Sequence, residues 1–170
     1  MLEIELDLPF VWQPAQPDTA EAETLWQEAQ LLLRVIQGLD SPPPREADRE
    51  TAFSRGLERL EAKLDLVLHL MARDPRAAPP GLATRRLTLY TQGLRCMGEP
   101  TWRTGDTGLC VLRPSPALPL PIRIPARLDA TDAQGCSIRW PDMPDTVAEP
   151  WSQWLFRQHR RAVHARKEGA

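Results

Sequence analysis

Two adjacent arginines, Arg85 and Arg86, are the residues whose type and place best suit a ligand in this chain. A guanidinium is a rigid fork of donors that grips phosphate bidentately. Two of them, directly after a Pro-rich joint and ahead of a strand, could clamp an anion, although the same pair also suits a plain solvated surface. Catalytic chemistry has less to stand on. His69, His159 and His164 all fall on helical stretches, and none has a Ser, Cys or carboxylate spaced to make a nucleophile and base. Cys96, Cys110 and Cys136 show no CxxC spacing. An odd, scattered set fits reduced thiols packed in a core, not a disulfide framework or a zinc site. The expectation is a protein that is not an enzyme and holds no metal or cofactor.

A second group of cations lies near the C-terminus. Arg157, His159, Arg160, Arg161, Arg166 and Lys167 follow Trp151, which is expected to open a last helix. Trp151, Trp154, Leu155, Ala162 and Val163 can share one face of it and pack on the rest of the protein. The opposite face offers Arg157, Arg160 and Arg161 to solvent or to an acidic protein partner. Nucleic acid is not expected there. The chain has a net charge of −2 and a pI near 5.9, and no base-reading motif is present.

The element that organises the chain is residues 46–73, EADRETAFSRGLERLEAKLDLVLHLMAR. Phe53, Leu57, Leu60, Leu64, Val67 and Met71 recur at steps of four and three, a heptad with Leu57, Leu64 and Met71 at a and Phe53, Leu60 and Val67 at d. Leaving such a stripe in water costs roughly 1.5–3 kcal/mol per side chain, so it must meet another helix. That helix is either a hairpin neighbour or a second copy of the chain. The neighbour is available, since Leu25, Ala29, Leu32, Ile36 and Leu39 repeat at four and three in an earlier helix capped by Asp18 or Thr19. DSPPPRE (40–46) joins the two stiffly.

Charge divides the chain. Residues 1–80 carry 15 acidic against 8 basic side chains, and residues 81–170 carry 8 against 13. With the linker-like PRAAPPG at 75–81, this implies two segments, 1–80 for a helical oligomerisation arm and 81–170 for a second module. Short strand candidates fill the latter at 85–90, 93–97, 108–113, 118–124, 126–130 and 135–140. Six short strands with close turns predict a small antiparallel barrel, hence an α+β fold. Pro119, Pro121 and Pro125 confine the fourth strand to an edge or a bulged course. Residues 1–12 alternate like a strand ending at Pro9, as an edge strand of the sheet or an ordered arm. MLEIELDLPF lacks the basic start of a signal peptide, and no uncharged apolar run approaches a membrane span, so a cytoplasmic location is expected.

Four segments in order, ERLEAKLDLVLHLMAR, LYTQGLRC, ALPLPIRIPARL and FRQHRRAV, resemble the PilZ family over roughly residues 50–165, in particular its tetrameric, helix-bearing branch. The resemblance implies long heptad helices before a six-stranded barrel, assembly as a tetramer, and an unidentified protein partner in bacterial signalling. Typical members bind cyclic di-GMP through an RxxxR stretch before the first strand and a [DN]-x-S-x-x-G turn. Gly93 matches the turn glycine. Thr88 stands at the Asp or Asn position and Tyr90 at the Ser position, while Arg85–Arg86 replace two arginines four apart. Losing a carboxylate acceptor and one clamp arginine removes charge-assisted bonds of about 1.5–3 kcal/mol each. The tetrameric branch similarly lacks these residues. The expectation is a regulatory or adaptor protein with a degenerate nucleotide site; the alternative is a cyclic di-GMP receptor that binds through an altered clamp of Arg85 and Arg86.

Overall fold

The alternating N-terminal residues become the first stave of a closed barrel. In the computed structural model, β1 (Glu3–Pro14) turns Ile4, Phe10 and Trp12 inward and leaves Glu3, Glu5 and Asp7 exposed. The structure describes residues 3–40, 53, 56, 57, 60, 61, 63–65, 67, 81–97, 102–116, 118 and 120–168. The other staves are β2 (Ala83–Tyr90), β3 (Gly93–Met97), β4 (Thr107–Leu112), β5 (Ile122–Asp132) and β6 (Gly135–Arg139). All pairings are antiparallel, in the closed order β1-β2-β3-β6-β5-β4. Closure leaves no free sheet edge.

The six staves are not the six expected. Candidate 126–130 and the end of candidate 118–124, from Ile122, belong to one strand, β5, and β1 supplies the missing stave. Prolines misled the reading because their cost depends on which side of the strand lacks a donor. Pro125 pairs with Leu109 of β4, but the β5–β6 ladder reaches only Arg127, so one flank of Pro125 has no ladder bond to lose. The bulge expected in this region lies further on, between Leu128 and Ala130. Pro9, likewise, does not end β1. Its carbonyl accepts from the Arg113 N–H at 3.0 Å, pointing away from β2, where β1 passes from the β2 ladder to that of β4.

Helices accompany the barrel. In α1 (Thr19–Asp40), Asp18 and Glu21 form a reciprocal cap, with the Glu21 N–H donating to Asp18 Oδ1 at 2.8 Å and the Asp18 N–H to Glu21 Oε2 at 3.2 Å. The described residues of α2 lie between 53 and 67. The last helix, α3 (Asp145–Glu168), starts six residues before Trp151, with the Val147 and Ala148 N–H groups both 2.9 Å from the Pro144 carbonyl, and carries Pro150 inside it.

One core joins these parts. Leu87, Leu89, Leu94, Ile124, Leu128 and Ile138 fill the barrel, and Trp26, Leu32, Leu33 and Ile36 of α1 with Val147, Trp151, Trp154 and Leu155 of α3 continue it. Thus β1 and α1, from before residue 81, share the core of the later strands. Helix α1 was expected to lie along the heptad stripe of α2. Instead its apolar face packs on β5 and α3, where Arg123 of β5 reaches Glu28 at 3.3 Å.

Candidate functional site

The β2–β3 turn, Tyr90 to Gly93, is held from three directions. Trp151 of α3 donates its indole N–H to the Tyr90 carbonyl at 3.1 Å, and Trp140 donates its own to the Thr91 carbonyl at 3.1 Å. The two indoles meet edge to face with centroids 5.5 Å apart, and Trp154 stacks on Trp151 at 5.1 Å. The Tyr90 ring lies over Gly93 from the third side, its hydroxyl 3.4 Å from the Leu94 carbonyl oxygen. Burial raises the Tyr90 phenol above its ordinary pKa, with the hydrogen bond to Ser137 opposing that shift. A buried face, satisfied donors and an aromatic lid make this turn a structural clasp.

Arg85 and Arg86 lie inside β2. Successive strand residues point to opposite faces, so the pair diverges. Arg86 shares the outer face with Thr88 and Tyr90 and sits 3.5 Å from Asp7, a register partner across β1. Both side chains are more than half exposed, and such a pair contributes little. Arg85 shares the parity of Leu87 and Leu89, and its guanidinium lies against the Cys96 sulfur. Thr88 faces Glu5 on one side and Arg95 on the other in the ladder, and Arg95 is engaged with Asp132 at 2.8 Å.

The heptad stripe has a different character. Phe53, Leu57, Leu60, Leu64 and Val67 are 75%, 50%, 64%, 58% and 48% exposed, so no part of the described chain covers them. Met71 lies outside the described residues. Five large apolar side chains along one helix form a continuous patch of the kind that marks an association surface. Leaving them in water costs about 1.5–3 kcal/mol each.

A family model described as "Atypical PilZ domain, cyclic di-GMP receptor" matches residues 31–167. The chain belongs to the atypical PilZ family. The fold agrees. A protein of Xanthomonas campestris is 27% identical, with a TM-score of 0.66 over 95% of this chain and 90% of its own. Its crystal structure is described as that of a pathogenic protein with a new tetrameric PilZ domain, self-assembled via an unusual helical bundle. No curated protein matches at a significant level. The PilZ barrel here thus packs with α1 and α3. At the positions of the typical nucleotide motif, Gly93 is present but lies beneath Tyr90.

The cations of α3 separate in this PilZ chain. Arg157 is half-buried and donates to the Gln37 carbonyl at 3.2 Å, binding α3 to the last turn of α1, while Gln37 Nε2 donates to the Pro150 carbonyl at 3.0 Å. A cation at a helix C-terminus also favours the macrodipole there. Arg157 is therefore used within the chain; Arg160 and Arg161 are exposed, as are Phe156 and Val163, which do not join the buried face. His159 is half-buried, His164 is exposed, and His69 lies outside the described residues.

Sequence reasoning missed the indole clasp. Six tryptophans in a chain otherwise poor in aromatics were the available signal. It also missed the juxtaposition of Cys96 and Cys136, opposite one another on β3 and β6. All three cysteines are buried and unbridged. Among the described residues no group of His, Cys, Asp or Glu is set to hold a metal ion, and no helix is long and apolar enough to cross a membrane.

Proposed function

We propose that this chain is a non-enzymatic regulatory or adaptor protein that self-associates through α2, as a tetramer, and displays several PilZ barrels to a protein partner in the cytoplasm. The exposed stripe of Phe53, Leu57, Leu60, Leu64 and Val67 carries this reading. The hairpin alternative loses its support because α1 spends its apolar face on β5 and α3. The tetrameric, helical-bundle assembly described for the Xanthomonas protein adds weight for the same geometry. Repeated display would raise avidity for a partner without strong single contacts. The exposed Arg160 and Arg161 would face an acidic partner, and Arg157 positions α3.

In this reading the typical cyclic di-GMP site is lost. The ligand's phosphates need guanidiniums converging from one face, and Arg85 and Arg86 diverge; Tyr90 fills the space above Gly93. The second reading, a receptor with an altered arginine clamp, is favoured by the description of the family itself. One preparation tests both. Sedimentation of the full chain should give a tetramer, with Leu60→Lys and Leu64→Lys giving smaller species; unchanged masses for both variants end the self-association claim. Calorimetry with cyclic di-GMP at tens of micromolar protein should give no heat, and saturable binding abolished by Arg85→Ala would establish the receptor.

A further inference from the structure

Cys96 and Cys136 are register partners on neighbouring antiparallel strands, both buried on the inward side. The Trp140 N–H donates to the Gln92 carbonyl at 3.2 Å, so residues 92 and 140 form a hydrogen-bonded pair. Counting along the alternating ladder makes 96 and 136 another. Residues so placed have Cα atoms about 5.5 Å apart, within the range of about 4.4–6.8 Å that a disulfide spans. Their Cβ atoms sit about 4.5–5.5 Å apart in a ladder, slightly wide for that bond. A bond formed there is strained, and strain favours reduction.

The two sulfurs already interact. Cys96 Sγ donates to the Met97 carbonyl at 3.6 Å, and the neighbouring Cys136 side chain first, then Arg85, lowers its pKa to about 7. The contact with Cys96 and burial push Cys136 far up, so it keeps its proton. Cys110, with its thiol fully buried, is also raised, chiefly by desolvation. Of the two sulfurs, Cys96 is the one that ionises more readily, and Cys136 keeps its proton. Arg85 is exposed, and its charge acts on the buried Cys96.

We propose that Cys96 and Cys136 are a thiol modification site that closes to a reversible disulfide on exposure to a peroxide, with Cys96 attacking. The Cys96 thiolate attacks one oxygen of hydrogen peroxide; the O–O bond breaks, hydroxide leaves and takes up a proton as water, and Cys96 becomes a sulfenic acid. The Cys136 sulfur then displaces the sulfenic hydroxyl, which leaves as water with the Cys136 proton. Two thiols are oxidised, one peroxide is reduced, and two waters form. The bond would link the β2–β3 hairpin to the β5–β6 hairpin, while Cys110 stays reduced.

Treating the reduced, full-length folded protein with hydrogen peroxide, then unfolding it in N-ethylmaleimide and weighing it intact, tests this. The reduced chain should take three maleimides and the oxidised chain one, with dithiothreitol restoring three. Peptide mapping should find the link between Cys96 and Cys136. Cys110→Ser should keep it, Cys96→Ser should lose it, and Arg85→Gln should form it more slowly. Three maleimides after peroxide, over-oxidised single cysteines, or a link through Cys110 or between chains would overturn the assignment. The wild type and Cys110→Ser decide it even where Cys96→Ser fails to fold.

Discussion

Tyr90 roofs Gly93: a Cβ built on the glycine would stand 2.7 Å from the tyrosine Cε2 and 2.3 Å from the Ile138 backbone oxygen. The glycine is there because three strands and a ring converge on it, whatever ligand a turn glycine serves elsewhere. The clash with Ile138 involves backbone, which has little room to yield.

Gly93→Ala should therefore cost about 3 kcal/mol in urea unfolding. Adding Tyr90→Ala should not restore it, because the carbonyl clash remains. The assembly state of whatever fraction folds should be unchanged, since α2 is untouched. Full rescue by the double variant would show that the ring, not the carbonyl, sets the constraint.

Trp151→Phe keeps an aromatic ring in the core but removes the N–H that satisfies the Tyr90 carbonyl. An unsatisfied buried acceptor predicts a loss of about 1–3 kcal/mol. Trp140→Phe should behave alike through Thr91, and the two losses should not add, because the rings touch. Thermal melts of the three variants check this.

Arg157 and Arg160 are both arginines of one helix, yet they should differ. Arg157→Met retains an apolar stem but loses the bond to the Gln37 carbonyl, for about 1 kcal/mol of destabilisation. Arg160→Ala, exposed, should fall within about 0.5 kcal/mol of wild type. Chemical denaturation of both gives the comparison.

Asp132 supplies the pH prediction. The Gln134 N–H first, then Arg95 and the Gly135 N–H, hold its carboxyl below the ordinary 3.8, at distances of 2.8, 2.8 and 3.0 Å. A carboxyl depressed in the folded state stabilises above its unfolded value and loses that contribution as pH falls through the folded one. Asp132→Asn should therefore be less stable than wild type near neutrality, and the gap should close in acid below about pH 4. A gap constant from pH 7 to pH 2 would contradict the assignment.

Much of this was legible in the chain, for stated reasons. The α2 stripe could be read because its spacing alone fixes a narrow apolar face, and the structure exposes that face. The alternation of Ile4, Leu6 and Leu8 announced a strand, but Pro9 hid its length, since a proline's cost depends on a neighbour strand that no local pattern names. The merger of two strand candidates across Pro125 was hidden by the same cause. Arg157 could be placed on a polar face, but its acceptor is a carbonyl 120 residues away. The indole clasp and the Cys96–Cys136 pairing depend on register between strands far apart in sequence, and such register is fixed by the closed sheet as a whole.

Strands β1 and β2 are neighbours in the barrel, yet the chain leaves one at Pro14 and returns to the other at Ala83. The helical part is thus an insertion within what would otherwise be a plain two-strand hairpin, tethered at both ends to adjacent staves. A heptad added to or removed from α2 would lengthen or shorten that insertion by about 10.5 Å of helix without changing either strand.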